Sequence, residues 1–134
     1  MLQSETEIRV RYGETDKMGY VYYGNYAQYY EVARTEFIRK YGITYKELEE
    51  RGIMLPISSL KIKYIKPSFY DDILRVQATI RELPAIRIHF DYKVFNQKNE
   101  LVNIGETTLV FVDSKTGKPV AAPDFFINPL KQYF

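Results

Sequence analysis

The stretch Gly24-Asn25-Tyr26-Ala27-Gln28-Tyr29-Tyr30-Glu31-Val32-Ala33-Arg34-Thr35-Glu36-Phe37-Ile38-Arg39-Lys40-Tyr41-Gly42 decides how this chain folds. Within it Tyr26, Tyr30, Ala33, Phe37 and Tyr41 recur at intervals of three and four, which draws one apolar stripe along a helix. Gly42 ends the pattern as the residue beyond the last turn. At 1.5 Å per residue, a helix of some 17 residues is roughly 25 Å long, enough to cross a small sheet. A helix with a single apolar stripe needs a partner surface, and the flanking sequence supplies one.

Before the helix, Glu7 to Tyr12 alternates, with Ile8, Val10 and Tyr12 on one face and Arg9 and Arg11 on the other. That is a half-buried strand. After the helix, Thr44-Tyr45-Lys46-Glu47 reads as a capping box for a short second helix closed by Gly52. From there the period is two. Leu60 to Ile65 alternates as far as Pro67. Leu74, Val76, Ala78 and Ile80 alternate with Arg75, Gln77, Thr79 and Arg81. Ile86 to Val94 repeats the pattern, and Leu101 to Val112 makes a last long strand before the turn Asp113-Ser114-Lys115-Thr116-Gly117. The joins Tyr70-Asp71-Asp72, Glu82-Leu83-Pro84 and Asn96-Gln97-Lys98-Asn99 are short and polar, so successive strands are expected to pair antiparallel.

The order is strand, long helix, short helix and four long strands. It predicts an α+β fold, a single domain over residues 1–134, with a strongly curved antiparallel sheet wrapped around one long helix. Arg75, Gln77, Arg81, Arg87, His89 and Lys93 fall on the outer face, polar enough to be solvated. An exposed edge strand invites pairing with a second copy.

Composition removes several chemistries. The chain has 134 residues, 46% hydrophobic and 27% charged, which suits a globular protein with a real core. There is no cysteine, so disulfides, thiolate metal sites and cysteine nucleophiles are excluded. The single histidine, His89, excludes a histidine-rich zinc site within one chain. It also alternates onto the polar strand face. A net charge of +2 does not argue for nucleic acid. No apolar run follows Met1 and no 18-residue apolar segment occurs, so a cytoplasmic protein without a membrane span is expected.

The residues between the first strand and the helix carry the chemistry: Tyr12-Gly13-Glu14-Thr15-Asp16-Lys17-Met18-Gly19-Tyr20-Val21-Tyr22-Tyr23. They set Asp16 among turn residues just ahead of a helix start. Helix starts offer free backbone N–H groups and a partial positive charge. An acid beside them can attack a carbonyl that they polarise, or activate water against it. Glu14 lies two residues earlier, and the strand end leaves it exposed. Of 13 tyrosines, Tyr20, Tyr22, Tyr23, Tyr26, Tyr29 and Tyr30 cluster here, residues suited to core packing and to pocket walls alike.

The pattern Tyr12-x-Glu14-Thr15-Asp16-x-x-Gly19-x-Val21-Tyr22-x-x-x-Tyr26, followed by Tyr30-Glu31-x-Ala33-Arg34, resembles the hotdog-fold acyl-CoA thioesterases. The branch it is most similar to contains 4-hydroxybenzoyl-CoA thioesterase and YbgC-like proteins. Ile62-x-Tyr64-x-x-Pro67-x-x-Tyr70-Asp71-Asp72 and Gly105-x-Thr107 extend the likeness over nearly the whole chain. The resemblance implies a hotdog fold, assembly as a dimer or a dimer of dimers, and acyl-CoA bound between protomers. It implies no cofactor and no metal. It makes Asp16 the catalytic acid, either as nucleophile or as general base, with backbone N–H groups of Tyr23 and Gly24 holding the carbonyl oxygen. One such donor is worth ~3 kcal/mol of transition-state stabilisation. Glycine at position 24 lets backbone approach a ligand. Many relatives carry histidine where this chain has Tyr23, which keeps the backbone donor and removes an imidazole.

For the substrate, the resemblance and the residue types nominate Tyr22 and Tyr26 with the run Ile53-Met54-Leu55-Pro56-Ile57 as acyl-pocket walls. Glu31 matches an acidic position of the family and stands either behind the site or as a partner for Arg34 three residues on. Coenzyme A carries phosphates, so basic groups belong at the pocket mouth, with Lys63, Lys66 and Arg87 as candidates alongside Lys61. The expected activity is hydrolysis of a short-chain or aromatic acyl-CoA. The alternatives are a non-catalytic module that binds acyl thioesters on the same fold, and hydratase chemistry, which wants a histidine beside the acid.

Overall fold

The computed structural model describes residues 1–134 and contains one five-stranded antiparallel sheet and one long helix. Strand β1 (Leu2–Arg9) leads through the Asp16 loop and a 3-10 turn at Tyr23–Asn25 into helix α1 (Tyr26–Lys40). A short helix α2 (Tyr45–Glu50), a two-residue strand β2 (Ile53–Met54) and the long strands β3 (Ile57–Tyr64), β4 (Ile73–Ile80), β5 (Arg87–Phe95) and β6 (Leu101–Val110) follow. Strand β7 (Val112–Asp113) pairs with β2, and helix α3 (Asp124–Ile127) lies near the C-terminus.

The apolar stripe behaves as its spacing predicts. Tyr26, Tyr30, Ala33 and Phe37 are all buried, and α1 packs on the inner faces of β1 and β4. Inward side chains Leu74, Val76, Ala78, Ile88, Phe90, Tyr92 and Val94 complete one continuous core. Tyr30 lies flat on Tyr92 with ring centroids 4.1 Å apart. Its hydroxyl donates to Asn103 Oδ1 at 2.6 Å. Gly105 makes that stacking possible, because a Cβ there would run into the Tyr30 ring and come within 2.8 Å of the Lys61 carbonyl. Thr44 caps α2 by accepting from the Glu47 N–H at 3.0 Å. The Glu47 side chain turns outward to Arg51 rather than completing a capping box. The result is the hotdog arrangement, a curved sheet closed on a central helix.

Two expectations fail. The first strand begins at Leu2 and ends at Arg9, and Tyr12 starts a 3-10 turn (Tyr12–Glu14) with its ring exposed. Strand alternation extends to Leu2 because Leu2 and Ser4 face inward, even though Ser4 is polar. Strands β3 and β4 also do not pair. The sheet order is β1-β4-β5-β6-β3, so residues 65–72 cross from the β3 edge of the sheet, past β6 and β5, to β4 beside β1. The crossing has its own partners. Ile65 and Lys66 donate to the Val102 carbonyl, Val21 donates to the Ser68 carbonyl at 2.8 Å, and Val10 exchanges hydrogen bonds with Asp71 and Asp72. The polar Tyr70-Asp71-Asp72 turn therefore belongs to a strap across the helix start. Its Asp71 backbone has φ of 70°, a left-handed conformation that aspartate tolerates.

Candidate active site

The loop after β1 folds back on itself. Thr15 and Val21 form an isolated antiparallel bridge, and the Asp16 N–H donates to the Tyr20 carbonyl at 2.9 Å. Within this loop Asp16 Oδ1 accepts from the Met18 N–H at 2.8 Å, while no group of the chain donates to Oδ2. The carboxylate is thus held by one oxygen and open at the other. Its negative charge reaches Tyr22, whose hydroxyl is pushed up in pKa first by the adjoining Tyr23 hydroxyl and further by Asp16.

Glu14 is buried, against the expectation of an exposed strand-end acid. Its Oε1 accepts from the Arg11 N–H at 2.8 Å and the Tyr29 hydroxyl at 3.0 Å. Its Oε2 pairs with the Arg11 guanidinium at 3.2 Å. Burial works to raise this carboxyl, but the Arg11 N–H, the Tyr29 hydroxyl and the Arg11 charge together hold it below its ordinary value. The Glu14 carbonyl in turn accepts from the Tyr22 N–H at 2.9 Å and from Asn25 Nδ2 at 2.8 Å. One residue thereby ties the loop to both the turn before α1 and the helix itself.

Two amides at the helix start are left without acceptors. The Tyr22 carbonyl accepts from Asn25, and the Tyr23 carbonyl accepts from Tyr26, so both belong to the 3-10 turn. Tyr23 receives a second bond from the Tyr64 hydroxyl at 3.0 Å. A trans peptide unit points its N–H opposite its carbonyl. The pinned carbonyls of Tyr22 and Tyr23 therefore aim the N–H groups of Tyr23 and Gly24 away from the helix. Neither N–H donates to any group of the chain. Gly24 is exposed, and a Cβ on it would come within 2.8 Å of the Tyr22 ring.

Beside these amides opens an apolar cleft of about 490 Å³ between the helix start and the 65–69 strap. Tyr23, Tyr26, Tyr64, Phe69 and Lys66 are among the residues that line it, with Met18 and Tyr20 of the Asp16 loop on its rim. Tyr22 packs against Tyr23 with centroids 4.7 Å apart and the rings tilted by 43°, just outside. The Lys66 ammonium is paired with Glu100. Asp16, Tyr22, Tyr23, Gly24, Tyr26 and Lys66 thus converge on one end of the helix.

Three candidates do not join them within one chain. Lys63 and Arg87 project from the outer face of the sheet, where Lys63 lines a separate groove with Lys61 and Lys93. Glu31 is exposed one turn along α1 and forms no ion pair with Arg34, so the structural pairing weighed for it is absent. His89 lies on the outer face with Nδ1 2.9 Å from Thr108 Oγ1, remote from the helix start. Glu14, Asn25 and Tyr64 were not read from the sequence as positioning groups. For Tyr64 the signal was its place in the Ile62-x-Tyr64 pattern ahead of Pro67; for Asn25 it was the polar residue at the helix entry.

An acid loop, a pair of oriented free amides and an apolar cleft thus lie together at one end of the central helix of a hotdog scaffold. The chain belongs to the thioesterase-like superfamily, which it matches over residues 10–130. It is 34% identical over 126 residues to a putative acyl-CoA thioesterase, YneP, from Bacillus subtilis, with 91% of each chain covered. It is 31% identical to the acyl-CoA thioester hydrolase YbgC from Escherichia coli, covering 93% of each. Among solved structures, a DHNA-CoA thioesterase from Staphylococcus aureus shares 39% identity with a TM-score of 0.87, over 100% of this chain and 85% of that one.

Proposed function

We propose that the chain hydrolyses acyl-CoA thioesters, with Asp16 as the reacting acid and the N–H groups of Tyr23 and Gly24 as the oxyanion hole. The observation that carries this reading is the pair of amides at Tyr23 and Gly24, aimed out of the helix start and bonded to nothing. Donors fixed in advance at the place where charge develops stabilise the transition state without reorganising. The thioester carbonyl oxygen would accept from them while Asp16 Oδ2, the oxygen free of hydrogen bonds, faces the carbonyl carbon.

Two routes use the same geometry. In one, Oδ2 attacks the carbonyl carbon, the tetrahedral oxyanion collapses with loss of the CoA thiolate, and water then hydrolyses the mixed anhydride. In the other, Oδ2 takes a proton from water as the water attacks. Tyr23 offers its amide to either route and no imidazole. Lys66, at the cleft mouth, is the basic group best placed for a CoA phosphate once it exchanges Glu100 for the ligand. Tyr26, Tyr64 and Phe69 give the cleft flat apolar walls, which favours a short or aromatic acyl group. The likeness to a DHNA-CoA thioesterase, at 39% identity, points the same way.

We further infer a homo-oligomer in the cytoplasm. Strand β3 has one free edge, seven of its eight residues are exposed, and Ile57, Leu60 and Tyr64 leave apolar surface uncovered beside α1. Pairing of β3 with a second copy would cover that surface and satisfy the edge. It could also bring Lys63 or Arg87 of another protomer toward the cleft.

The test is thiol release from a panel of acyl-CoA and acyl-carrier thioesters, with Asp16→Asn alongside. The expected outcome is turnover by the unaltered chain and its loss in the variant. Binding of acyl-CoA without turnover by the unaltered chain would favour a binding module instead.

A further inference from the structure

The turn that joins β5 to β6 reaches back onto the strap that walls the cleft and holds it at two points. Asn96, itself buried, organises the turn. Its Oδ1 accepts from the Lys98 and Glu100 N–H groups at 3.0 Å each, and its Nδ2 donates to Glu100 Oε1 at 3.0 Å. The Asn96 N–H closes the turn on the Glu100 carbonyl, also at 3.0 Å. Gln97 grips the far end of the strap, donating to Asp72 Oδ1 at 3.0 Å and accepting from the Ile73 N–H at 3.2 Å. Glu100 grips the near end through its ion pair with Lys66. The acid is thus fixed by its own turn and does not depend on the lysine for its place.

Lys66 is anchored differently. Its backbone N–H donates to the Val102 carbonyl at 3.0 Å, while its side chain is half exposed and lines the mouth of the cleft. Glu100 is not among the residues that line the cleft, so the pair draws the ammonium toward the outer turn. The hydrogen bond from Lys66, then the one from Asn96, hold the Glu100 carboxyl below its ordinary value, and the Lys98 charge adds to them. Glu100 is therefore ionised at neutral pH. Lys98 also leaves a positive charge beside it when the Lys66 ammonium turns away.

One side of this ion pair is rigid and the other is not. A lysine ammonium is a compact charge on a flexible stem, so it changes partner by rotating its own side chain. Glu100 offers it a single negative charge. A phosphate offers up to two and more acceptor oxygens, and so draws the ammonium more strongly. A ligand that carries no phosphate offers nothing in exchange and leaves the pair with Glu100 as it stands. The acid thus weighs on phosphate-bearing ligands and is indifferent to the others.

We propose that Glu100 sets how tightly the cleft takes a phosphate-bearing thiol carrier, by competing with the carrier for the Lys66 ammonium. It is a specificity-determining residue that acts through Lys66 and touches no reacting atom. The inference rests on the thioesterase reading for the thioester and for Lys66 as the phosphate contact, but the affinity for free carrier tests it without turnover. A phosphopantetheine arm offers the same chemistry as CoA, and comparing the two locates the phosphate that matters.

The test takes the acyl group that the chain turns over fastest and compares its CoA thioester with its pantetheine thioester, which has the same reacting end and no phosphate. Glu100→Gln keeps an oxygen for Asn96 Nδ2 and removes the charge. It should lower KM for the acyl-CoA roughly two- to fivefold, the scale of one exposed ion pair, while the KM for acyl-pantetheine stays put. Calorimetric titration should show the same gain in affinity for free CoA. Lys66→Met should weaken CoA binding, and in that background Glu100→Gln should bring less than half of the gain, because the acid acts through the lysine. An equal gain with phosphopantetheine assigns the contact to the phosphate nearest the thiol arm, and a gain with CoA alone assigns it to the nucleotide end. An acyl-CoA KM that is unchanged or higher in Glu100→Gln overturns the proposal. So does an equal fall for acyl-pantetheine, a full gain without the lysine, or CoA binding that survives Lys66→Met intact. If the chain turns over no thioester, the catalytic reading fails, and the affinities for CoA and pantetheine still decide the role of Glu100.

Discussion

Glu14 and Asp16 are two carboxylates separated by one residue, and the fold treats them in opposite ways. Every oxygen of the Glu14 side chain is engaged, by the Arg11 N–H, the Tyr29 hydroxyl and the Arg11 guanidinium. Asp16 is held by the Met18 N–H on one oxygen alone. A carboxylate whose lone pairs are all occupied has been committed to holding structure. One with an oxygen to spare, beside free backbone donors, retains capacity for chemistry. The two also depend on each other. Glu14 fixes the Tyr22 N–H and the Asn25 side chain through its own carbonyl, and so sets the turn from which the Tyr23 and Gly24 amides point.

The sharpest way to separate the two acids is to remove each in turn. Asp16→Asn keeps an oxygen for the Met18 N–H, so the loop should survive and the melting temperature should hold. Thiol release should nevertheless fall ~10³-fold or more, the scale of a lost acid or base. Glu14→Ala should do the reverse in order of severity. It strands the Tyr29 hydroxyl and the Arg11 N–H in a buried place, which costs about 3 kcal/mol and lowers the melting temperature by roughly 10 °C. Activity should fall as a consequence of a loosened helix start. A Glu14→Ala chain as stable as the original would contradict the division of labour between the acids.

How much of this could be read beforehand follows from the range of each interaction. The helix was legible because Tyr26, Tyr30, Ala33 and Phe37 report a local period, and the strands were legible for the same reason. Strand order was not. The polar turn Tyr70-Asp71-Asp72 looks like a hairpin in sequence, but its backbone partner is Val10, just past the end of the first strand and on the other side of the helix in sequence. Asp16 could be singled out by its place in a local pattern before a helix. The burial of Glu14 could not, because it depends on Tyr29, which reaches it from across the helix entry. The last segment was silent as well: Phe126 and Leu130 are wholly buried, with Phe126 edge-on to Phe111, yet their stretch shows no strong period. Arg34 stood in a matched pattern and looked like half of a surface ion pair. Only packing shows it to be a buried charge.

A pH series refines the comparison further. The Glu14 carboxyl is depressed below its ordinary value of 4.5 in the folded chain. A depressed carboxyl contributes stability above its unfolded pKa, and that contribution is lost as pH falls through the lower folded value. The unaltered chain should therefore lose stability on acidification below about pH 4.5. Glu14→Gln should show a shallower acid limb in the same window, together with a loss of about 1–2 kcal/mol at neutral pH. An unchanged acid limb would mean that Glu14 is not the carboxylate that matters there.

The smallest effect tests the geometry on which the oxyanion reading depends. Tyr64 touches no acid of the loop, yet its hydroxyl is bound to the Tyr23 carbonyl at 3.0 Å, and that carbonyl shares a peptide plane with the Gly24 N–H. Tyr64→Phe leaves the ring in the cleft and removes only the pin. The Tyr23 carbonyl keeps its bond from the Tyr26 N–H, so stability should change by less than about 1 kcal/mol. The Gly24 N–H, however, loses part of what aims it. A donor displaced from its line costs transition-state stabilisation without much altering ground-state binding. The expected signature is therefore a fall in kcat of roughly threefold to tenfold with KM nearly unchanged. A rise in KM at constant kcat would instead assign Tyr64 to holding the acyl group, and would move the oxyanion donors elsewhere.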